Sequence, residues 1–251
     1  MILDIDEFLH AITCCTMKGK WGNKSAVLSS QITCKVEDNK MYLLSANRAN
    51  SVAVAYQLIL DNAEDANFVL DLEVLPMLKT FSGEVEFEVG NVLTILQGSD
   101  TATIPLVAHH ENEVAIDRFS SNLIEWIEND FTDDFEFGNT LYDLGLSIES
   151  NSLKGAISAC NTVGSSNYVL NYHQNNRLYL QSTKGQRKIS KELEMIEHFG
   201  NPATVPFAAP IDKLFQTKND WDNTINMKIH DDMPLFARTS FAAIIVAPYM
   251  S

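Results

Sequence analysis

The residues with the clearest chemical potential are two neighbouring histidines, His109 and His110. Imidazole pairs hold metal ions or act as general acid and base. Consecutive residues of a strand point to opposite faces, however, so this pair cannot chelate one ion if the segment is extended. The aspartate pairs at 133–134 and 231–232 fail as acid/base pairs for the same reason. All three pairs are therefore expected to lie in loops and turns.

The other residue types that carry chemistry do not form a recognisable site. The four cysteines lack the CxxC spacing of a metal or redox pair, and they are Cys14, Cys15, Cys34 and Cys160. The sequence also lacks the GxGxxG, GxxxxGK[ST], GxSxG and HExxH motifs. We therefore predict no catalytic residue, no metal and no cofactor, and we expect the cysteines to be buried thiols.

Composition narrows the class of protein. The chain has 251 residues, of which 45% are hydrophobic, and 18 basic against 33 acidic side chains give a net charge of -15. A disordered chain is excluded, and the length suits one large domain or two small ones. No apolar run approaches the roughly 20 residues of a membrane span, and the N-terminus lacks the basic start of a signal peptide. A soluble, intracellular protein without a membrane partner is expected.

The negative charge is concentrated in the middle of the chain. Between Ala108 and Gly138 there are nine acidic residues and one basic residue, Arg118, which give -8 of the total -15. A linker between two halves would lie here. Apolar residues at 123–127 predict a short helical turn inside a mostly extended crossing. Two interpretations remain open, a solvated acidic loop and a loop that binds a partner.

The sequence on either side of this segment is repeated. Residues 39–45 (NKMYLLS) match residues 176–182 (NRLYLQS) at an offset of 137. Each copy follows a short amphipathic helix with the spacing i, i+3, i+4, i+7. The apolar positions of these two helices are Ile5, Phe8, Leu9 and Ile12, and Leu153, Ala156, Ile157 and Cys160.

A second helix and a set of strands follow each copy. Asp71 is a suitable N-cap for a helix with Leu72, Leu75, Leu78 and Phe81, and Pro210 suits the start of a helix with Ile211, Leu214 and Phe215. The predicted strands are Val85–Val89, Val92–Gln97, Thr101–Val107, Thr224–Ile229, Leu235–Arg238 and Ala243–Ala247. The fold class is therefore α+β, a tandem duplication of a unit of two helices and an antiparallel sheet.

Lysines recur on or beside all four predicted helices, away from their apolar stripes. They are Lys18, Lys20, Lys79, Lys154, Lys213 and Lys218. If the helices lie side by side, these lysines share one surface. A second basic cluster follows the second repeat copy and contains Lys184, Arg187, Lys188 and Lys191. The role of that cluster remains open.

The whole chain resembles the two-domain sliding clamps of the proliferating cell nuclear antigen family. The most specific stretch is at the C-terminus, where 225–235 (INMKIHDDMPL) resembles a strand, a turn and a "D-x-P-L" strand, and 245–248 (IVAP) resembles the closing "Y-L-A-P". Near the N-terminus, 43–45 (LLS) and 51–55 (SVAVA) match the same pattern in order.

The resemblance implies a homotrimeric ring with pseudo-sixfold symmetry that encircles double-stranded DNA. Such a clamp is a processivity factor without catalytic activity. It binds a DNA polymerase, a clamp loader and other proteins that carry a clamp-binding motif. The implied domains are 1–107 and 139–251, joined by a connecting loop at 108–138. The implied location is intracellular and DNA-associated, in the cytoplasm of a prokaryotic or virus-infected cell or in a eukaryotic nucleus.

The resemblance also assigns two surfaces. The DNA-facing residues would be Lys18, Lys20, Lys79, Lys154, Lys213 and Lys218. The pocket for a partner peptide would use Ala46, Val52, Pro234, Ala247 and Pro248. The sequence departs from the family at Ala46, where a bulky apolar residue is usual, and at the short hairpin 239–243. The apolar residues of the connecting segment are also expected to fill part of the pocket.

Two alternatives remain. The first is a polymerase accessory protein of the same fold that acts as a monomer or within a heteromeric ring. The second is an enzyme that uses His109, His110 and loop acids.

Overall fold

The computed structural model of the protein describes residues 1–16, 30–47, 51–132, 134–165, 167–207 and 224–248. The helices are α1 (Ile5–Thr16), α2 (Leu75–Leu78, directly after a 3-10 turn at Leu72–Val74), α3 (Glu113–Glu128) and α4 (Ser150–Asn161). The strands are β1 (Ile2–Asp4), β2 (Gln31–Glu37), β3 (Lys40–Ala46), β4 (Val52–Ile59), β5 (Ala66–Asp71), β6 (Glu84–Val89), β7 (Val92–Gln97), β8 (Asp100–Pro105), β9 (Glu136–Phe137), β10 (Thr140–Leu141), β11 (Leu144–Glu149), β12 (Tyr168–His173), β13 (Arg177–Lys184), β14 (Arg187–Leu193), β15 (Met195–Phe199), β16 (Ala203–Phe207), β17 (Thr224–Ile229), β18 (Leu235–Arg238) and β19 (Ala242–Val246).

The largest sheet joins the two halves of the chain. Its strand order is β15-β11-β17-β18-β19-β4-β3-β2-β5, and two smaller sheets have the orders β1-β6-β7-β8 and β14-β13-β12-β16. Strand β19 of the second half pairs antiparallel with β4 of the first half, with Ile244 opposite Val54. The predicted α+β class is confirmed, and the strands predicted at 85–107 and 224–247 agree with the structure to within two residues.

Helices α1 and α4 show the duplication in atomic detail. Cys15 in α1 donates its thiol to the backbone oxygen of Leu43, and Cys160 in α4 donates to the backbone oxygen of Leu180. Leu43 and Leu180 are the same position of the repeat at the offset of 137. The helices themselves correspond at an offset of 145, which matches Phe8 with Leu153. The predicted i, i+3, i+4, i+7 spacing also holds in this register, because the buried residues Phe8, Ala11, Ile12 and Cys15 match the buried residues Leu153, Ala156, Ile157 and Cys160.

The second helix of the first half is shorter than predicted. Asp71 caps it as expected, because its carboxylate accepts a hydrogen bond from the backbone nitrogen of Glu73 at 2.9 Å. A 3-10 turn and one α-helical turn then end at Leu78, which is fully buried. The helix predicted after Pro210 lies outside the described residues.

The crossing between the halves is helical, so the prediction of a mostly extended segment was wrong. Helix α3 covers 16 residues of it. Its buried side chains recur with helical spacing along the whole segment, and they are Ala115, Ile116, Phe119, Leu123, Ile124, Trp126 and Ile127. An acidic sequence forms a helix here because this stripe meets an apolar face of the sheet, and tertiary packing supplies most helical stability.

Strands β3 and β4 are buried on both faces. Met41 and Leu43 point into an inner core, which also contains the buried residues of α1, α2 and α4. Tyr42 and Leu44 point into a separate outer core, which contains the apolar face of α3. The protein is therefore layered, with α1, α2 and α4 on the inner side of the sheets and α3 on the outer side. No helix among the described residues is long and apolar enough to cross a membrane.

Candidate functional site

The inner side carries the two predicted DNA-facing lysines that the structure describes. Lys79 is the C-cap residue of α2 and is exposed. Lys154 lies in α4 next to the buried Leu153 and is half-buried. Both helices contribute to the inner core, so both lysines belong to helices on the same side of the sheets. Lys18, Lys20, Lys213 and Lys218 lie outside the described residues.

The outer side carries exposed acids in the first half and on α3. In β6 the side chains of Val85 and Phe87 enter the inner core, so the exposed Glu84, Glu86 and Glu88 between them point outward. On α3 the exposed acids are Glu113, Asp117, Glu125 and Glu128. An acidic outer side repels a polyanion, which favours contact with the lysine-bearing inner side.

The residues predicted for a partner pocket come together where the central strands β18, β19, β4 and β3 of the large sheet begin or end. Ala46 lies opposite Ala53, Val52 lies opposite Val246, and Pro234 and Ala247 adjoin the paired strands β18 and β19. Ala46 and Val52 are buried, at 0% and 8% exposure, whereas Pro234, Ala247 and Pro248 are half-buried. The side chain of Ala46 belongs to the outer core beneath α3, so the helix covers this part of the predicted pocket.

Arg238 anchors the C-terminal end of α3 to β18. Its Nη1 donates to the backbone oxygens of Trp126, Ile127 and Asn129 at 2.5, 3.1 and 2.5 Å. Its guanidinium carbon also lies 4.5 Å from the centre of the Trp126 ring. A buried cation suits this position because the last carbonyls of a helix lack intrahelical donors and carry the negative end of the helix dipole.

A second anchor joins the same end of α3 to β3. Lys40 Nζ lies 2.5 Å from a carboxylate oxygen of Glu128, and the hydroxyl of Tyr42 donates to the same oxygen. The hydrogen bonds from Lys40 and Tyr42 lower the pKa of Glu128. Glu128 is therefore ionised over the physiological pH range and holds the helix end.

His110 anchors the start of α3. Its Nδ1 accepts a hydrogen bond from the backbone nitrogen of Asn112, and its Nε2 donates to the backbone oxygen of Gln31, both at 2.9 Å. The Asn112 amide in turn donates to the backbone oxygen of Ala46 at 2.8 Å. Burial lowers the pKa of His110, against the opposing charges of Glu111 and Glu113. This arrangement requires the neutral imidazole, because a proton on Nδ1 would face another donor.

We expect acidification to weaken the structure through His110. Its pKa is lower in the folded than in the unfolded state, so the unfolded state takes up the proton first as the pH falls. The stabilisation is complete above the unfolded-state pKa of about 6.5 and decreases below it. Denaturant titrations from about pH 7.5 to about pH 5.5 should show a smaller pH-dependent loss of unfolding free energy in His110→Gln than in the unmodified chain.

The matched control for this measurement is His109→Gln. The His109 side chain is 76% exposed and takes no part in the contacts of His110 with Gln31 and Asn112, so its replacement should preserve the effect that His110 causes. Equal pH dependence in all three proteins would show that His110 is not the responsible group.

The two histidines do not act together, as the sequence predicted for neighbouring residues. His109 is exposed and His110 faces the protein interior. The four cysteines are buried, and burial raises the pKa of Cys14 to about 12. Among the described residues, no group of three or more His, Cys, Asp or Glu side chains is placed to hold a metal ion.

Helix α3 and its anchors are the features that the sequence analysis missed. The helical spacing extends from Ile116 through Phe119 and Leu123 to Trp126, whereas the predicted helical turn covers only 123–127. Arg238 had no comparable signal, since a lone cation in a strand does not identify the carbonyls that it will bind.

No family model and no curated protein matches the sequence. Solved structures do match. The DNA polymerase III beta chain of Streptococcus pneumoniae has a TM-score of 0.72 at 13% identity and covers 100% of this chain. Two PCNA structures match over almost their full length. The PCNA of A. fulgidus, solved with the C-terminal region of FEN-1, has a TM-score of 0.69 at 15% identity, with 100% of this chain and 98% of that chain covered. The PCNA of Thermococcus kodakaraensis has a TM-score of 0.69 at 14% identity, with 99% of each chain covered.

These likenesses define the class of structure: the chain has the fold of DNA sliding clamps. The resemblance drawn from the repeat and the C-terminal motifs is confirmed at the level of the fold. The chain spans 64% of the length of the S. pneumoniae protein, 98% of the A. fulgidus PCNA and 99% of the T. kodakaraensis PCNA.

Proposed function

We propose that the protein is a processivity factor, a ring-shaped homotrimeric clamp that encircles double-stranded DNA and performs no chemistry itself. The observation that carries this proposal is the clamp fold over the whole chain, combined with Lys79 and Lys154 at helices of the inner side and exposed acids on β6 and α3 of the outer side. A few lysines attract the phosphates without regard to sequence, and such weak contacts allow sliding.

The proposed DNA-facing residues are Lys79 and Lys154, together with Lys18, Lys20, Lys213 and Lys218. The proposed partners are a DNA polymerase, a clamp loader and proteins with a clamp-binding motif, such as a FEN-1-type nuclease, since one of the similar structures holds a FEN-1 segment. The proposed partner surface is the rim formed by Pro234, Ala247 and Pro248, together with Ala46 and Val52 beneath it.

Replacing Lys79 and Lys154 by alanine should weaken DNA binding and its salt dependence. Each phosphate contact contributes roughly 0.9 to the slope of log K against log salt, so losing two lysines from each of three subunits should reduce the slope by up to about 5. Fluorescence anisotropy with a labelled duplex at several salt concentrations measures this slope.

The matched control replaces Lys35 and Arg118, two cations on the outer side. Lys35 alternates along β2 with residues of the inner core, and Arg118 is exposed on α3. An equal slope change in both double variants would contradict an inner-side DNA surface.

The mass of the assembly and its retention on circular DNA test whether the protein forms a ring. Light scattering should give three times the 28.0 kDa chain mass, about 84 kDa. The assembled protein, once loaded, should be retained on a circular duplex and lost after a single cut, because a ring slides off an end. A 28.0 kDa particle at every concentration would instead favour the monomeric accessory protein.

A further inference from the structure

The two halves of the chain differ at the point where each leaves the repeated hairpin. In the first half the ladder of β3 and β4 ends with Lys40 opposite Ile59. In the second half the ladder of β13 and β14 ends with Leu178 opposite Leu193. Leu178 is the repeat equivalent of Met41 at the offset of 137, so the second ladder is one pair shorter.

In the first half the chain after β4 folds back onto the turn between β2 and β3. Leu60 donates its backbone N–H to the backbone oxygen of Asn39 at 2.8 Å. Ala63 donates its backbone N–H to Oδ1 of the same asparagine at 2.9 Å. Asn39 therefore holds the short segment 60–63 by two hydrogen bonds to its backbone.

The equivalent turn of the second half holds no such segment. Asn176 is the repeat equivalent of Asn39, and both have a φ of 58°. Its Oδ1 accepts a hydrogen bond from the hydroxyl of Tyr172 at 3.1 Å, but no backbone N–H within the described ranges donates to either oxygen of Asn176. The chain after β14 instead enters β15, where Met195 lies opposite Ile148 of β11.

A recess of about 700 Å³ lies beside Asn176, between this turn and the connection from β14 to β15. Its volume is in the range of pockets that hold ligands. Its apolar surface comes from the buried Leu193, the half-buried Met195 and Ile196, which is 57% exposed. A bound segment would therefore cover apolar surface that now faces solvent.

The rim of the recess is acidic. Glu149, Glu192 and Glu194 line it, and all three are exposed. Glu192 lies 3.7 Å from Arg177, whereas Glu149 and Glu194 form no ion pair with any cation in the part of the chain that the structure describes. The charge of the recess therefore favours a positively charged occupant.

We propose that this recess binds an extended, basic segment of a partner protein, much as Asn39 holds residues 60–63 of its own chain. The segment would donate backbone N–H groups to Asn176 and place an apolar side chain against Ile196. Its Lys or Arg residues would lie beside Glu149 and Glu194. Main-chain hydrogen bonds combined with side-chain contacts are a recurrent mode of peptide recognition.

This site is separate from both surfaces of the proposed function. Neither the lysines proposed to face DNA nor the rim at Pro234, Ala247 and Pro248 lines the recess. Peptide binding at the recess and retention on circular DNA can therefore be measured independently, and the failure of one leaves the other standing.

Two labelled synthetic peptides test the proposal by fluorescence anisotropy. The basic peptide acetyl-KLKNAK-amide keeps the leucine, asparagine and alanine of residues 60–63 (LDNA), and acetyl-ELENAE-amide is its acidic counterpart. The basic peptide should bind at least about tenfold more tightly. Glu149→Lys combined with Glu194→Lys should weaken its binding by about tenfold and allow the acidic peptide to bind, because the charges of the rim are then reversed.

The matched control combines Glu88→Lys with Glu197→Lys, which changes the net charge equally. Both residues are exposed and neither lines the recess. The affinity for the basic peptide should stay within about twofold. Equal weakening in the two double variants would mean that the peptide responds only to net charge, and this would overturn the recess as the site.

Asn176→Gly tests the backbone contacts. Glycine keeps the left-handed φ of the turn and removes Oδ1, so binding of the basic peptide should weaken by about threefold. Unchanged affinity in this variant and in Ile196→Ser would overturn the proposed contacts. Light scattering separates another occupant: a lower mass of the assembly in the Glu149 and Glu194 double variant would assign the recess to a second copy of the chain and overturn the proposal.

Discussion

Replacing Trp126 by alanine should lower the free energy of unfolding by about 4 kcal/mol, the usual cost of removing a buried aromatic side chain. Trp126 is 1% exposed, and its ring centre lies 5.1 Å from that of Phe135. The indole also forms the surface on which Arg238 lies, so its loss removes packing and an anchor together. Urea titration monitored by circular dichroism measures the change.

The control for this prediction is Val114→Ala. Val114 lies on the same helix but is 77% exposed, so the change should be within about 0.5 kcal/mol. A loss below about 1 kcal/mol in Trp126→Ala would show that α3 contributes little to the folded state and detaches readily. Hydrogen exchange of the α3 amides would then show low protection even in the unmodified chain.

Replacing Arg238 by methionine should lower the free energy of unfolding by about 3 kcal/mol. Methionine keeps much of the apolar volume but removes the donor to the Trp126, Ile127 and Asn129 carbonyls. The three carbonyl oxygens would then lose the guanidinium donor in a largely buried place. A buried carbonyl without a hydrogen bond raises the free energy of the folded state. The same titration measures the loss, and exchange protection should fall first in the last turn of α3.

Arg118→Met separates the role of this contact from the loss of a positive charge. Arg118 is exposed on α3, with its guanidinium carbon 5.2 Å from the centre of the Phe119 ring. Its replacement should cost less than about 0.5 kcal/mol. Equal losses in the two variants would show that net charge, and not the Arg238 hydrogen bonds, governs the effect.

The anchors of α3 bear on how partners reach the outer side. The helix is held at Asn112 and His110 at one end and at Glu128 and Arg238 at the other. The sheet beneath it is rich in small residues, including Ala46, Ala53 and Ala55, which let a helix approach closely. Under the proposed function, partners that use this side would meet the half-buried Pro234 and Ala247 before the covered Ala46.

The sequence by itself determined the local structure and the duplication. Alternating apolar residues define β6, β7 and β17, and turn residues such as Asp38 and Asn39, both with positive φ, separate the strands. The apolar stripes of α1 and α4 face the core as their spacing required. These features depend on side-chain periodicity and on short-range backbone preferences, which a single sequence records.

Only the tertiary structure decided where α3 lies and what holds it. Its apolar residues indicate a helix, but they do not show which face of the sheet the helix covers. The hydrophobic effect that buries them has no directional preference. Arg238 and Trp126 are 112 residues apart in the chain and meet through the fold. Likewise, the correspondence of Phe8 with Leu153 became clear only from the thiol contacts of Cys15 and Cys160, since a helix shifted by about one turn presents the same pattern of apolar residues.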